Sequence, residues 1–151
     1  MSNNTISLGT IQRQFARCLA ALEAKILADG FEFTLGEGYR SPEQAAINSL
    51  SLFDRARVGA ILETKYPILA GSIRLSTSRG VRNSNHTKKL AQDLNIFKDG
   101  EFLTKTEDYA PFGEWWKQQH PLARWGGDFK DVQGKPDPDA DHFSFEYEGV
   151  R

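Results

Sequence analysis

The sequence predicts an α+β domain in which a small antiparallel sheet is flanked by helices. Three observations support this fold class. An apolar stripe at helical spacing opens the chain, short stretches of alternating apolar and polar residues follow at irregular intervals, and an Asp-Gly pair is typical of a hairpin. Helices and strands alternate too irregularly for a doubly wound parallel sheet, which leaves the antiparallel sheet as the better interpretation.

The composition is typical of one globular domain. The chain has 151 residues, of which 39% are hydrophobic and 26% charged, and it contains no internal repeat or long linker. We therefore expect a single domain over residues 1–151, with a first helix at about 10–29 and a core region at about 31–147. A formal net charge of -1 provides no positive field for nucleic acid, and the scattered basic residues at 74–89 are typical of a solvated face.

The first half of the chain predicts helices around one strand. The opening helix follows an apolar stripe formed by Ile11, Phe15, Leu19, Leu22 and Ile26. Alternation over 31–35 predicts a strand. Ser41 and Pro42 then form a helix start, and helical sequence continues in one or two pieces to about Tyr66-Pro67, where the proline ends it. The Gly-rich and Ser-rich stretch 70–82 predicts a loop.

Two strands and a helix are predicted in the second half. Residues 90–97 predict a strand that buries Leu90, Leu94 and Ile96 on one face and places Asp93 beside the small Ala91 on the other. The Asp-Gly pair in 98–102 predicts a hairpin.

The end of the chain predicts a helix and a final strand. Residues 107–119 have a helical composition. The strand HFSFEY, 142–147, would place its aromatic residues on one face and the polar side chains of His142, Ser144 and Glu146 on the other.

The chain offers three His and one Cys, so a metal site must use imidazole and carboxylate ligands. Catalytic zinc usually takes three protein ligands and leaves one position for water. His86, Asp93 and His142 supply such a set if the strands that carry the last two are neighbours. The helical HExxH motif is absent, which excludes that class of metalloprotease.

Asp139 precedes His142 by three residues across a predicted turn. That spacing places a carboxylate near a metal without making it a ligand, as a general base requires. A single His on a mixed strand is more often structural than a ligand. The metal hypothesis therefore depends on the combination of two separated His and carboxylate pairs.

Acidic residues near the C-terminus also suggest calcium. Four of them match ligand positions of an EF-hand loop, but His142 stands where that loop needs Gly and Pro138 interrupts it. A looser regulatory Ca²⁺ site stays open as an alternative, built from some of Asp131, Asp137 and Asp141.

Four motifs together resemble a known family. SNHTKKLAQDL, residues 84–94, resembles the S-x-H-x-x-G-x-A-x-D-L signature of the zinc D-Ala-D-Ala carboxypeptidase and L-alanyl-D-glutamate endopeptidase family. DADHFSF at 139–145 and GYRSPEQ at 38–44 are similar to its second and upstream motifs, and WGGDF at 125–129 is similar to a stretch in its phage-endolysin branch. Their shared order is more specific than any one motif. Lys89 departs from the signature, which usually has Gly there.

The resemblance implies a VanY-like, Hedgehog-type fold, with Zn²⁺ bound by the three residues above and catalysis by Asp139. It also implies that Arg40 binds the carbonyl oxygen or the developing oxyanion. The alternative for Arg40 is a surface ion pair with Glu37 or Glu43. Ser84 is expected to fix the loop or the ring of His86, and Trp125 is the candidate for lining the site.

The implied function is that of a phage endolysin, a zinc metallopeptidase that hydrolyses a stem-peptide bond of peptidoglycan, with L-Ala-D-Glu as the favoured bond. The alternatives are a D-Ala-D-Ala carboxypeptidase or dipeptidase, and a non-catalytic zinc-containing binding module. The N-terminal residues have no signal-peptide pattern. We therefore expect a monomer made in the host cytoplasm that reaches the periplasm or cell wall through a holin or similar route, without membrane insertion or nucleic-acid binding.

Overall fold

The computed structural model describes residues 6–71 and 83–150, and within them the chain is α+β with an antiparallel sheet, as predicted. The helices are α1 (Leu8–Ala28), α2 (Pro42–Asn48), α3 (Leu52–Lys65), α4 (Pro67–Ala70) and α5 (Thr106–Lys117), with 3₁₀ turns at Asn85–Lys88 and Gly126–Asp128. The strands are β1 (Glu32–Leu35), β2 (Ala91–Lys98), β3 (Glu101–Phe102), β4 (Ala123–Trp125) and β5 (His142–Phe145).

Side-chain caps set the starts of the first two helices. The Ser7 hydroxyl accepts a hydrogen bond from the Thr10 amide (3.3 Å), so α1 begins slightly earlier than predicted. Ser41 accepts from the Gln44 amide (3.1 Å), and Pro42 takes the first helical position of α2, as the sequence indicates. Helix α3 ends at Lys65, directly before Tyr66-Pro67, as predicted. Pro67 then opens the separate short α4, because a proline is well tolerated in a first turn.

The sheet has the order β1-β2-β5-β4, and β3 pairs with β2 through the predicted hairpin. Asp99 and Gly100 both have positive φ values (52° and 81°), as a tight turn of this hand requires. β2 and β5 are antiparallel neighbours, and Asp93 lies opposite His142 in their register. The sheet therefore meets the condition on which the predicted metal site depends.

The core lies between the sheet, α1 and α5. Leu90, Leu94 and Ile96 are fully buried, as predicted, and they pack with the apolar stripe of α1. Trp116 of α5 is also fully buried, and its indole N–H donates to the main-chain oxygens of Arg124 (3.0 Å) and Ser144 (3.2 Å). This indole therefore connects α5 to both β4 and β5.

The expected polar face of the last strand is buried. Ser144 has no exposed surface and His142 is only 5% exposed. The tertiary structure accounts for this burial, because β5 lies between β2 and β4 and both of its faces are covered. Period-two patterning predicts the alternation of side chains but does not predict whether the second face reaches solvent.

Two further expectations concern the loop 70–82 and the absence of membrane insertion. The predicted loop 70–82 lies almost wholly outside the described residues, as do Arg74, Arg79 and Arg82. Among the helices that are described, none has the length and apolar character needed to span a membrane.

Gly113 of α5 and Gly9 of α1 give a matched test of packing. A Cβ at Gly113 would lie 2.0 Å from the Trp125 ring, whereas at Gly9 the nearest atom lies 3.7 Å away. We expect Gly113→Ala to lower the free energy of unfolding by about 1–3 kcal/mol through overpacking. Gly9→Ala should raise it by up to about 1 kcal/mol through helix propensity. Urea denaturation measures both, and equal effects would contradict this packing.

Candidate metal centre and active site

Three side chains from two separate parts of the sequence converge at the end of the β2–β5 pair. His86 comes from the 3₁₀ turn Asn85–Lys88, Asp93 from β2 and His142 from β5. His86 Nε2 lies 3.2 Å from His142 Nδ1 and 3.4 Å from Asp93 Oδ1, and His142 Nδ1 lies 3.0 Å from the same oxygen. Within the described ranges 6–71 and 83–150, this is the one grouping of three or more His, Cys, Asp or Glu side chains suited to hold a metal ion.

These three distances fit a tetrahedral ion. Zinc lies about 2.0–2.1 Å from nitrogen and oxygen ligands, so two ligands of a tetrahedral ion are about 3.3–3.4 Å apart. The observed separations of 3.0–3.4 Å are close to that value. The centre is also enclosed, since both His side chains are buried and Asp93 is partly so. Its geometry is suitable for a small divalent cation.

The ring of His86 is oriented by a main-chain oxygen. Nδ1 lies 2.7 Å from the carbonyl oxygen of Gly38, which can only accept a hydrogen bond, so Nδ1 carries the proton. In the neutral ring this leaves the Nε2 lone pair facing Asp93 and His142. Fixing the tautomer through an outer hydrogen bond is a common property of metal-binding histidines.

Ser84 fixes the backbone of the turn and not the ring. Its hydroxyl accepts from the His86 amide (3.3 Å), and its carbonyl oxygen accepts from the Thr87 hydroxyl (2.7 Å) and amide (3.0 Å). Of the two roles expected for Ser84, the structure shows the first. The residue that orients the ring, Gly38, is the one the sequence analysis missed, because a carbonyl oxygen carries no side-chain signal.

The loop 36–40 runs along β2 and touches both of the first two candidate ligands. The Gly36 amide donates to the Asp93 oxygen (2.8 Å), and the Asp93 amide donates to the Glu37 oxygen (2.9 Å). A Cβ at Gly36 would lie 3.0 Å from the Asp93 Cβ, and one at Gly38 would lie 2.7 Å from the Gln92 side chain. Glycine is therefore suited to these positions because the two segments lie very close.

The charges at the centre favour an ionised Asp93. Burial alone would raise its pKa, but hydrogen-bonding and charge interactions with His142 and His86 hold the pKa of Asp93 well below its ordinary value. For His86, burial lowers the pKa, and the stronger combined effect of Asp93 and the Gly38 carbonyl raises it. A carboxylate between two imidazoles can accept a proton or a metal ion. Binding a metal ion places the stricter demand on geometry, and the separations of 3.0–3.4 Å meet it.

Asp139 lies on the turn that leads into β5. Its amide donates to the Gly126 oxygen (2.9 Å), and its own carbonyl oxygen accepts from the His142 amide (3.1 Å). The residue is exposed, so its carboxylate is accessible to a substrate. Burial, followed by the charges of Asp93 and Asp139, raises the pKa of the neighbouring Asp141 to about 6.

Trp125 and Gly126 contact the backbone of the turn that carries Asp139. Trp125 is buried, and its indole N–H donates to the Ala140 oxygen (2.8 Å), so it holds the backbone of the turn. Its expected place in the lining of the site stays a prediction. A Cβ at Gly126 would lie 2.0 Å from the Asp139 oxygen. Phe129, from the same WGGDF stretch, has its ring 5.4 Å from that of His142, a contact with the centre that the sequence did not predict.

Arg40 forms a two-point ion pair with Glu37. Its Nε donates to Glu37 Oε1 (2.8 Å) and its Nη2 to Oε2, which is the alternative that the sequence had left open. Hydrogen bonding to Arg40 lowers the pKa of Glu37, and the pair raises the pKa of Arg40. Arg40 also interacts electrostatically with Asp93 and Asp139, so the guanidinium lies within the field of the centre.

The acidic residues considered for calcium do not form a site in the described structure. The Asp131 carboxylate accepts from the Gln133 (2.8 Å) and Lys135 (2.9 Å) amides, which makes it a turn-forming side chain. Neither Asp131, Asp137 nor Asp141 belongs to the metal-suited grouping found among the described residues. The Ca²⁺ hypothesis therefore has no support in the structure.

Lys89 explains why the signature usually has Gly. It ends the His86 turn with φ 55° and ψ 40°, the left-handed conformation. A side chain in that conformation costs roughly 1–2 kcal/mol that glycine avoids. The turn keeps its form here in spite of the lysine.

No family model and no curated protein matches the sequence. Among solved structures, the fold is similar to the L-Ala D-Glu endopeptidase ChiX of Serratia marcescens (18% identity, 89% of this chain, 79% of that chain, TM-score 0.49). It is also similar to the vancomycin-resistance D,D-pentapeptidase VanY in complex with Zn(II) (21% identity, 87% of this chain, 70% of that chain, TM-score 0.49). A third similar structure is the LD-carboxypeptidase LdcB (18% identity, 87% of this chain, 57% of that chain, TM-score 0.48). At this level of similarity, function must be inferred from the residues of the site itself.

Removal of Asp93 tests the metal centre. We expect Asp93→Ala to weaken zinc binding by more than about 100-fold, because the loss of a ligand should exceed the 10–100-fold cost of losing an outer partner. Asp131→Ala is the matched control and should bind zinc like the wild type. Metal analysis after dialysis, combined with competition against a chromophoric chelator, measures both. Full zinc occupancy in Asp93→Ala would refute the ligand assignment.

Proposed function

We propose that this protein is a zinc-dependent peptidase that hydrolyses a stem-peptide bond of peptidoglycan. The observation that carries the proposal is the convergence of His86 Nε2, Asp93 Oδ1 and His142 Nδ1 within 3.0–3.4 Å of one another. Two imidazoles and one carboxylate form a ligand set typical of catalytic zinc, which keeps a fourth position for water or substrate.

The surrounding side chains fit peptide hydrolysis. When bound, zinc supplies Lewis acidity and lowers the pKa of water. Asp139, exposed on the turn beside His142, takes a proton from the attacking water and passes it to the leaving amine. Arg40, which interacts electrostatically with Asp93 and Asp139, stabilises negative charge on the carbonyl oxygen. Structural zinc sites use four protein ligands, so a three-residue set with an accessible carboxylate favours catalysis over a non-catalytic module.

The substrate class is supported by motif resemblance. All four motifs belong to segments that form or support the centre: 38–44 orients His86, 84–94 and 139–145 carry the candidate ligands, and 125–129 holds the turn of Asp139. On that basis we propose peptidoglycan stem peptide as substrate and L-Ala-D-Glu as the bond. The role of a phage endolysin acting with a holin is part of the same proposal and stays a prediction from the WGGDF resemblance.

Mass spectrometry of digested peptidoglycan tests the proposal. Zinc-loaded wild type should release fragments with new L-Ala and D-Glu termini, and chelator treatment should abolish them. Loss of terminal D-Ala alone would instead identify a D,D-carboxypeptidase. If metal-loaded protein cleaves no stem-peptide bond, the peptidase proposal is wrong.

Asp139→Asn separates catalysis from metal binding. The carboxylate is exposed and is not one of the candidate ligands, so the variant should fold and keep zinc. We expect kcat to fall by about 10²–10⁴-fold, the usual contribution of a general base. Metal content and turnover are measured on the same sample. Unchanged kcat with full zinc would remove Asp139 from the mechanism.

Arg40→Ala tests the oxyanion role. Loss of one donor to a developing oxyanion typically costs about 10²–10³-fold in rate. Because Arg40 is also paired with Glu37, the matched control is Glu37→Gln, which weakens the ion pair but keeps the guanidinium. We expect kcat to fall much further in Arg40→Ala than in Glu37→Gln. Equal, small losses would indicate that Arg40 is only a structural partner of Glu37.

A further inference from the structure

Lys89 occupies a strained position directly beside the candidate metal centre. It adopts the left-handed conformation at the end of the turn that carries His86, and it is exposed. Non-glycine residues in that conformation are uncommon and tend to occur at functional sites. Glycine would relieve the strain, so we expect the lysine side chain to have a role that offsets it.

The backbone places Lys89 against the loop that orients the centre. The Lys89 amide and the Arg40 amide both donate to the carbonyl oxygen of His86, each at 3.3 Å. The ammonium group lies over the ring of Tyr39, 5.3 Å from its centroid. Tyr39 stands between Gly38, which orients His86, and Arg40. The ammonium therefore lies against the loop 36–40, which contacts both His86 and Asp93.

Two other cations in the described part of this region, Arg40 and Lys88, are already engaged. Arg40 is paired with Glu37, and Lys88 donates to the Asn83 side chain (3.0 Å) and lies over the Tyr147 ring. Lys89 has no ion pair in the described part of the chain and contacts only a neutral ring through its ammonium. Its positive charge is therefore available to an incoming anion.

The carboxylates at the centre make such a cation useful. Asp93, Asp139 and Asp141 are acidic groups at or beside the site. A substrate that carries its own carboxylate would be repelled by them unless a cation were positioned nearby. D-Glu of a stem peptide is such a substrate, because it continues the chain through its γ-carboxyl and so leaves an α-carboxylate beside the L-Ala-D-Glu bond.

We propose that Lys89 is a specificity-determining residue that binds a carboxylate adjacent to the scissile bond, the free α-carboxylate of D-Glu. This inference rests on the proposed peptidase function and adds a preference that the motif resemblance does not contain, since the signature usually has Gly at this position. Tyr39 holds the ammonium in place and Lys89 makes the contact with the anion.

Two synthetic peptides test the subsite. Both are N-acetyl-L-Ala-γ-D-Glu-L-Lys-D-Ala, with the D-Glu α-carboxyl either free or amidated. Zinc-loaded wild type should have a KM about three- to fivefold lower for the free acid, with similar kcat, which is the size of effect expected for a solvent-exposed ion pair. Lys89→Gln should raise the KM of the acid to that of the amide, and Lys89→Arg should keep the preference.

Two further variants separate charge from strain and from position. Lys89→Gly removes both the charge and the backbone strain, and it should lose the preference just as Lys89→Gln does. Lys88→Gln is the matched control, because its ammonium is held by Asn83 and Tyr147, and it should discriminate like the wild type. Loss of the preference in Lys88→Gln alone would overturn the assignment to Lys89.

Calorimetric titration of the same peptides keeps this inference separate from the peptidase proposal. Absence of cleavage by wild type would refute the peptidase proposal, while the titration still reports on Lys89. Tighter binding of the acid by wild type, and equal binding of acid and amide by Lys89→Gln, support the subsite. Equal binding of the two peptides by wild type, no binding of either, or the same discrimination in wild type and Lys89→Gln overturns it.

Discussion

The pairing of β2 with β5 is the constraint on which the candidate site depends. Asp93 lies opposite His142 in that register, and their side chains approach to 3.0 Å. Because side chains alternate along a strand, a slip of one residue would turn one of the two to the opposite face. The core fixes the register, since Leu90, Leu94 and Ile96 would have to leave the apolar interior for the strand to shift. Hydrophobic burial therefore positions two polar side chains.

The third side chain of the group is positioned by main-chain contacts. His86 lies on a short turn, and its location depends on the loop 36–40. The Gly38 oxygen of this loop accepts a hydrogen bond from the His86 ring, and the Arg40 amide donates to the His86 carbonyl oxygen. The same loop pairs with Asp93. One segment thus aligns two of the three donors. This arrangement explains why glycines at 36 and 38 matter, since the loop must lie against β2 with almost no space between them.

A second supporting layer lies behind the turn of Asp139. Trp125 and Gly126 bond to this turn, and Gly113 of α5 packs against the face of the Trp125 ring. The position of the proposed general base therefore depends on the core helix as well as on the sheet. An exposed carboxylate gains a defined position from a buried scaffold, which is the arrangement expected when a loop residue has a chemical role.

The sequence by itself determined the fold class, the cap at Ser41, the hairpin at Asp99-Gly100 and the three residues that could bind a metal. These follow from local rules, because propensity, period and turn chemistry depend on neighbouring residues. Only the tertiary structure decided that β5 is buried on both faces, that Gly38 orients His86 and that the Trp125 indole bonds to the turn before β5. Each of these depends on which segments meet in space, and strand order and main-chain contacts over long sequence distances leave no local pattern in the chain.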